Sequence, residues 1–486
     1  MRKTALLFAL CLTVLSASAQ NTFRSAYFMD GYLYAHSMNP AFYANRNYIG
    51  LGVGNVGVQT QSNLGVSTFF YPAGSGSTVN SFLSDAVSAS QFLGKLRRHN
   101  TENINAQLDV VNFGFWTKRN QFHNFSLSVH VIESAAAPYD LFRFLKEGST
   151  NGNTYDLSGF SARGRAYAQA AYGISMPIEG HPEIRVGGKA KVLVGLVYAD
   201  MRFNRFDVTM TGDRWTVDTD GTLRASNIPA AKTQGSVPIS DVFDLDSFDP
   251  ENMRPSGIGT AIDFGATWQV LPWLELSGSV TDLGFIHWKQ DVRMGTTGTW
   301  EYAGFDNIPV NGDNSYQDQL DRKIDELDEL TRFHDTQKGS PFDFLPVTVY
   351  LGAEARANSW FTGGLLATAR VEGPYSWAEI RASGNVEPAH WFGLSGSAAY
   401  GSFGPKLGAA LNLRMPVLAL FVGAELSSLK FVSNNPNGNN KIKDILNGDS
   451  IVVPRDNLNL NLAVGLNFTF GKTAAKRLHP TPQTEQ

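Results

Sequence analysis

Cysteine is almost missing from this chain: Cys11 is the single one among 486 residues. A lone thiol makes neither a disulfide framework nor a thiolate metal site. Charge is scarce too. Asp, Glu, Lys and Arg make up 17% of the residues, below the quarter usual in soluble domains. That deficit argues against both a disordered chain and a basic nucleic-acid binder, while the formal net charge of −4 says little about partners. Beyond the first twenty residues there is also no apolar run long enough for a membrane helix. The best candidate, Val417 to Ala424, has less than half of the roughly twenty residues that a span requires.

The first twenty residues read as a secretion leader. Arg2 and Lys3 supply the positive end, Ala5 to Leu15 the apolar stretch, and Ala17-Ser18-Ala19 the cleavage site. Leu10 ahead of Cys11 is too bulky for a lipoprotein signal. Cleavage after Ala19 would send a cysteine-free mature chain out of the cytoplasm, with residues 1–19 as the signal peptide.

Alternation takes the place of helices. Leu458, Leu460, Leu462, Val464, Leu466, Phe468 and Phe470 occupy every second position, with Asn457, Asn459, Asn461, Asn467 and Thr469 between them. The same period runs through Ile184, Val186, Ala190, Val192, Val194, Leu196 and Tyr198, and through Ile258, Ile262, Phe264, Ala266, Trp268 and Val270. Period-two segments have one apolar and one polar face. A soluble sandwich has such strands as well, but these stretches exceed ordinary globular strands and match the length of tilted membrane-crossing ones.

Fourteen strands are expected, near 48–60, 106–118, 122–132, 161–176, 183–199, 257–270, 273–287, 345–357, 359–371, 374–385, 391–401, 405–414, 417–431 and 457–470. The even count suits an all-β, closed antiparallel transmembrane barrel with both termini on the periplasmic side. Turns after alternate strands are short, while 61–105, 133–160, 200–256, 288–344 and 432–456 are long loops. That asymmetry is typical of outer-membrane barrels, although 372–374 and 402–404 are short on the long-loop side. Trp273-Leu274-Glu275-Leu276-Ser277-Gly278-Ser279 is echoed by Trp391-Phe392-Gly393-Leu394-Ser395-Gly396-Ser397, and Trp360-Phe361 takes the corresponding place at the start of strand nine. Three tryptophans at one end would build an interfacial girdle; tryptophan also caps apolar hairpins elsewhere. The chain divides into the leader, an amino-terminal segment 20–47, the barrel 48–470 and a periplasmic tail 471–486.

Ser25 to Tyr32 (SAYFMDGY), Asn39-Pro40-Ala41-Phe42, and Thr281 to Trp288 (TDLGFIHW) resemble a Bacteroidota family of outer-membrane proteins of unknown function. The Asn39-Pro40-Ala41 triplet is also similar to one in long-chain fatty-acid transporters (FadL-like barrels) and in the barrel that hands cargo to type IX secretion (PorV-like). That resemblance implies a lumen plugged by the amino-terminal segment as a hatch. An Asn-Pro pair also simply starts turns.

Polar-face residues are expected to line the lumen: Arg163, Arg165, Arg185, Lys189, Lys191, Asp263, Glu354, Arg356, Arg370, Glu379 and Arg381, together with Lys406 and Arg414. In a hydrated interior they would be solvated or paired. Their excess of bases suggests a preference for anionic groups or for acids of the hatch. Ser126, Ser128 and His130 share one strand face, but side chains two residues apart are expected about 6–7 Å from each other, too far for proton transfer. Asp218, Asp220, Asp241, Asp244, Asp246 and Asp249 lack calcium-loop spacing. Amphipathic helices are expected at Ser81–Arg98 and Ser315–His334, in outer loops where they would cap the pore or meet a partner.

No catalytic, cofactor or metal residue is assigned, and an outer-membrane hydrolase is the weakest reading. The favoured one is a pore for small molecules, apolar or anionic; the alternative is docking of a secreted or surface protein. Transport needs a path past the hatch, whereas docking needs a sealed lumen. Other expected partners are outer-membrane lipid and the barrel-assembly machinery. The latter reads a last strand like Val464, Leu466, Phe468 and Phe470. Deleting 473–486 should therefore leave heat-modifiable, membrane-inserted protein. Retained insertion of Phe470→Asp alongside failure of the deletion would refute the assignment of the last strand.

Overall fold

The computed structural model describes residues 23–471 apart from 73–78, 149–151, 212–213, 229–235, 239–253, 290, 303–331, 340, 428–430, 434–451 and 455–456. Its main element is a closed ring of fourteen antiparallel strands. These are β1 (Asn47–Gly65), β2 (His99–Trp116), β3 (Phe122–Pro138), β4 (Ser161–Ile178), β5 (His181–Met210), β6 (Gly257–Leu271), β7 (Leu274–Trp288), β8 (Val347–Arg356), β9 (Phe361–Val371), β10 (Trp377–Ala389), β11 (Phe392–Gly401), β12 (Gly404–Arg414), β13 (Leu418–Leu426) and β14 (Asn457–Phe470). Each pairs with the next, and β14 returns to β1 through Asn47↔Phe470, Ile49↔Phe468 and Val56↔Val464. Closure matters because an open edge in lipid leaves a row of unpaired backbone groups.

Burial is inverted relative to a soluble protein. In β14, Leu462, Val464, Leu466, Phe468 and Phe470 are exposed, while Asn461, Asn467 and Thr469 are buried. In β6, Ile258, Ile262, Phe264 and Trp268 face outward, whereas Asp263 and Thr267 are buried. The pleat sends successive side chains to opposite faces, so one alternating sequence supplies both an apolar belt and a polar lumen.

Apart from the short connections 372–376 and 402–403 at the opposite end, the short turns are the six that follow the even-numbered strands, and these lie at one end together with Asn47 and Phe470. Trp273, Trp360 and Trp391 are half-exposed there, in the turns rather than inside the strands. Their carbonyls accept from Arg356 N (2.8 Å), Glu387 N (2.7 Å) and Arg414 N (2.7 Å), tying each turn to the following wall strand. Phe342, Phe344, Tyr400 and Trp215 are exposed aromatics of the opposite end.

The far rim is uneven. β5 has 30 residues, whereas β13 has 9; at about 3.3 Å per residue one side of the wall stands far higher. Two expected long loops account for this. Within 200–256 and 288–344 the chain forms strands Trp215–Ser226, Asp291–Tyr302 and Arg332–Gly339, which continue the wall upward from β5. Asp218 and Asp220 thus lie on a strand, and the apolar residues there, such as Val217 and Leu223, are buried on one side only.

The expected helix Ser81–Arg98 shrinks to Ala89–Leu93, with Ser88 Oγ accepting from Gln91 N at 3.2 Å, and Ser81 belongs to a short strand. Clustered serines compete for backbone hydrogen bonds, and Gly94 ends the turn. An unforeseen helix, Tyr139–Glu147, occupies loop 133–160. Most of the expected helix Ser315–His334 lies outside the described residues, as do the leader, the tail and Asp241, Asp244, Asp246 and Asp249; Arg332 to His334 are strand.

The outward face generates a ranking. Val192, 56% exposed on β5, should lose about 2–4 kcal/mol on replacement by arginine at mid-membrane. The yield of Val192→Arg in membrane fractions should fall, whereas Arg185→Leu, on the inward face, should still insert. The reverse ranking would invert the wall.

Candidate functional site

The segment ahead of β1 lies inside the barrel. Two 3-10 turns, Arg24–Ala26 and Ala35–Ser37, compact it, and each residue from Phe23 to Met29 is buried. Its rings meet inward rings of the wall. Phe23 lies 5.5 Å from Phe421, Tyr32 lies 4.4 Å from Phe421, and Tyr27 stacks on Tyr350 at 6.0 Å. A polar-walled cylinder is thus filled by an aromatic segment.

The Asn39-Pro40-Ala41 triplet is a wall contact and a turn together. Asn39 Oδ1 accepts from Ala41 N at 2.9 Å, and Asn39 Nδ2 donates to the carbonyls of Ala266 (3.3 Å) and Gly278 (3.4 Å). On either side, the Met38 carbonyl accepts from Ser279 Oγ and the Ala41 carbonyl from Ser175 Oγ, both at 2.6 Å. Backbone comes so close here that the wall needs glycine. A Cβ on Gly187 would lie 2.0 Å from the Pro40 carbonyl oxygen, and one on Gly265 would lie 2.0 Å from Asn39 Oδ1.

Charge holds the segment on the opposite side. Glu379 accepts from Arg24 Nε (3.1 Å), Arg381 Nη2 (2.7 Å) and Lys406 Nζ (2.5 Å). Glu425 accepts from Arg381 Nη2 (3.2 Å) and from both the backbone N (2.9 Å) and Oγ (2.7 Å) of Ser25. Arg24 also lies 4.8 Å over the Trp377 ring. Nearer the short turns, Asp30 pairs with Arg356 at 3.3 Å, and its carbonyl accepts from Arg414 Nη1 at 2.6 Å. Lys189 donates to the His36 carbonyl at 3.2 Å. Arg185 donates to Ser175 Oγ at 2.7 Å and stacks 4.4 Å from the Tyr43 ring.

The remaining expected lumen residues stand further along the wall. Lys191 bridges Asp263 (2.7 Å) and Asp282 (2.6 Å). Asp282 takes φ +64° in a bulge opposite Asp263, whose Oδ1 accepts the Asp282 N–H at 2.8 Å. The Thr281–Trp288 motif is therefore a local kink that aims a carboxylate inward. Trp288 ends it, buried and stacked 5.1 Å from Tyr198. Arg163 pairs with Asp200 (3.2 Å); Arg165 pairs with Asp343 (3.1 Å) and Glu372 (3.0 Å); Arg370 pairs with Glu372 (3.1 Å). Glu354 is buried on the inward face of β8.

Most of these groups are buried and hydrogen-bonded rather than bathed in water, because the segment and side chains from across the ring occupy the space. Sequence reasoning missed Arg24 and Asp30 on the segment and Asp200, Asp282, Asp343, Glu372 and Glu425 on the wall side. Their partners lie from 2 to 400 residues away, mostly on other strands or the segment, and strand register brings them together.

Ser128 and His130 depart from expectation. Ser128 Oγ lies 2.8 Å from His130 Nε2, because the imidazole folds back along the strand and stacks 4.9 Å from Tyr167. Both are buried, and among the described residues His130 Nδ1 has no hydrogen-bond partner, so no third orienting group stands beside the pair there. Among the described residues, no cluster of three His, Cys, Asp or Glu is placed to hold a metal ion.

A closed fourteen-stranded barrel with an amino-terminal segment lodged in its lumen defines the class. Residues 40–425 match one family model, and the chain belongs to that family, described as a family of unknown function (DUF5723). No curated protein matches the chain. Among solved structures, the chain is similar to the P. putida toluene transporter TodX, with 7% identity, 89% of this chain and 93% of that one covered, and a TM-score of 0.39. It is also similar to a Pseudomonas aeruginosa FadL homologue, at 11% identity, 93% and 98% coverage and a TM-score of 0.39. A mutant Rh. blastica porin follows at 8% identity, 87% and 99% coverage and a TM-score of 0.22. The closed strand register defines the barrel without these likenesses.

Removing the Glu379 carboxylate takes the shared acceptor from three buried cations, of which only Arg381 keeps a second carboxylate, Glu425, a loss of about 3–5 kcal/mol. Glu379→Ala should shift the temperature of heat-modifiable migration downward and open the bond after Arg24 to trypsin in folded protein. Unchanged protection would mean that the ion cluster does not hold the segment.

Proposed function

We propose that this chain is an outer-membrane barrel that admits small apolar molecules when its amino-terminal segment, acting as a hatch, moves aside. The observation that carries the proposal is the chemistry of the filling. The segment sets the rings of Phe23, Tyr27, Phe28, Tyr32, Tyr34 and Phe42, all buried, against wall rings such as Tyr350 and Phe421. An apolar molecule entering from one end can replace ring-to-ring contacts one at a time, and each is worth only about 0.5–1.5 kcal/mol. The hatch's polar bonds are with wall side chains and carbonyls that water can satisfy once it shifts, so displacement leaves few stranded groups. Most of the bases noted in the sequence pair with wall carboxylates or Asp30, and Arg185 and Lys189 are held by Ser175, the Tyr43 ring and the His36 carbonyl, which favours apolar over anionic cargo.

The apolar belt and the tryptophan turns suit an outer membrane, with the short-turn end and both termini in the periplasm. A filled lumen also suits the docking of a secreted or surface protein on the tall rim, and one experiment separates the two. Whole Gram-negative cells carrying the chain should take up a radiolabelled monoaromatic hydrocarbon faster than vector controls, and Glu379→Ala should raise the rate further. Uptake equal to the control in both, with a stoichiometric protein co-purifying from detergent-solubilised membrane, would replace transport with docking.

A further inference from the structure

Among the side chains that seat the hatch, His36 is the one whose ordinary charge change falls near pH 6.5. It stands in the second 3-10 turn of the segment and is buried. Its ring lies 6.3 Å from that of Tyr48 and 6.1 Å from that of Phe122. Tyr48 is the second residue of β1 and Phe122 the first of β3. His36 therefore packs at the short-turn mouth, which the proposed orientation turns to the periplasm.

Two wall groups hold its imidazole. Nε2 lies 2.7 Å from Tyr48 Oη. Lys189 Nζ lies 3.4 Å from Nδ1 and also donates to the His36 carbonyl at 3.2 Å. An ammonium group only donates. The pairing thus requires Nδ1 without a hydrogen and leaves Nε2 as the donor to Tyr48. One lysine grips both the ring and the backbone of a single hatch residue, and the grip needs a neutral ring.

The surrounding charges act on Lys189 more than on the ring. Asp109 of β2, Asp263 of β6 and Asp282 of β7 attract its ammonium, and Lys191 of β5 repels it. Asp263 and Asp282 are bonded to Lys191 at 2.7 and 2.6 Å. Asp109 accepts from Asn55 at 2.9 Å and from Gln107 at 2.6 Å. The other neighbours are Tyr48, the uncharged Phe122, and Tyr34 of the hatch, 6.5 Å from the Tyr48 ring. A proton on Nδ1 sets a hydrogen and a positive charge directly against the ammonium, where repulsion is strongest. Lys189 then turns toward Asp109 and Asp263 and lets go of the hatch carbonyl.

We propose that His36 is a proton-operated latch, whose protonation expels Lys189 and frees the hatch from β5, so that acid favours the open barrel. This rests on the proposed movement of the hatch. The seated hatch holds the neutral ring, whereas the released one takes up a proton with the ordinary affinity of histidine. Closure is therefore at full strength above about pH 6.5 and weakens as pH falls below that value. A single proton makes the open fraction grow about tenfold per pH unit.

The test is single-channel conductance of the full chain in planar lipid bilayers between about pH 7.5 and about pH 4.5, with heat-modifiable migration at each pH as the folding check. His36→Gln keeps an acceptor for Lys189 but takes up no proton. Lys189→Gln removes the charge that the proton would meet. Open-channel steps that become about tenfold more frequent per pH unit in the full chain, with no such rise in either variant, are the expected result. An equal acid response in folded His36→Gln overturns the inference and leaves passage intact, because another group is then titrating. If His36→Gln does not fold, the same comparison is made with Lys189→Gln. A full chain that stays folded and shows no acid response overturns the latch as well; hydrocarbon uptake at neutral pH still reports separately on passage.

Discussion

Everything in this molecule follows from the need to satisfy backbone hydrogen bonds where water is absent. A sheet placed in lipid must close on itself, and closing fourteen strands creates an inside. The pleat then forces half of all wall side chains into that inside. Because the outward half is apolar, the inward half carries the chain's polar groups, among them Lys191, Asp263, Glu379 and Arg381. Such groups are costly to bury unless they are paired. The amino-terminal segment and the cross-lumen pairs supply the partners. Sealing and stability therefore come from the same contacts.

That coupling explains the unusual composition of the segment. It has to be apolar enough to exclude water and polar enough to meet a charged wall. It does both by spacing: rings at Phe23, Tyr27, Phe28 and Tyr32 pack together, while Arg24, Ser25 and Asp30 between them address carboxylates and guanidinium groups. The wall answers with small residues where the segment's backbone must approach. Gly187 and Gly265 are positions at which any side chain would collide with Asn39 or Pro40.

Strand pattern made the barrel legible from sequence, and all fourteen strands stand where alternation put them. Alternation is strongest where one face meets lipid, so β6 and β14 announced themselves. The upward extensions did not, because Trp215–Ser226 buries its apolar residues against protein and carries Asp218 and Asp220 on the other side, which reads as a solvated loop. The inward faces were also legible, since a charge opposite an apolar stripe has one place to go. Pairing was not. Which carboxylate faces which base depends on register across the ring and on the bulge at Asp282, and neither leaves a local mark. The meeting of Ser128 with His130 escaped because side-chain torsion, not strand spacing, brings the two atoms together.

The segment that fills the lumen is made before any wall strand, yet it cannot find its place until nearly all the rest has formed. Arg24 binds a residue 355 positions later, and Ser25 one 400 positions later. Tyr34 waits for Asn467 on the final strand. Contacts of such sequence separation form slowly, because loop-closure entropy is lost before any contact repays it. An unfinished wall thus has an empty lumen, with the aromatic leading end still outside it. The sockets for that end, Glu425 and Asn467 among them, exist only once β13 and β14 are in place, so a barrel with a slipped register offers no matching sockets for its amino-terminal segment.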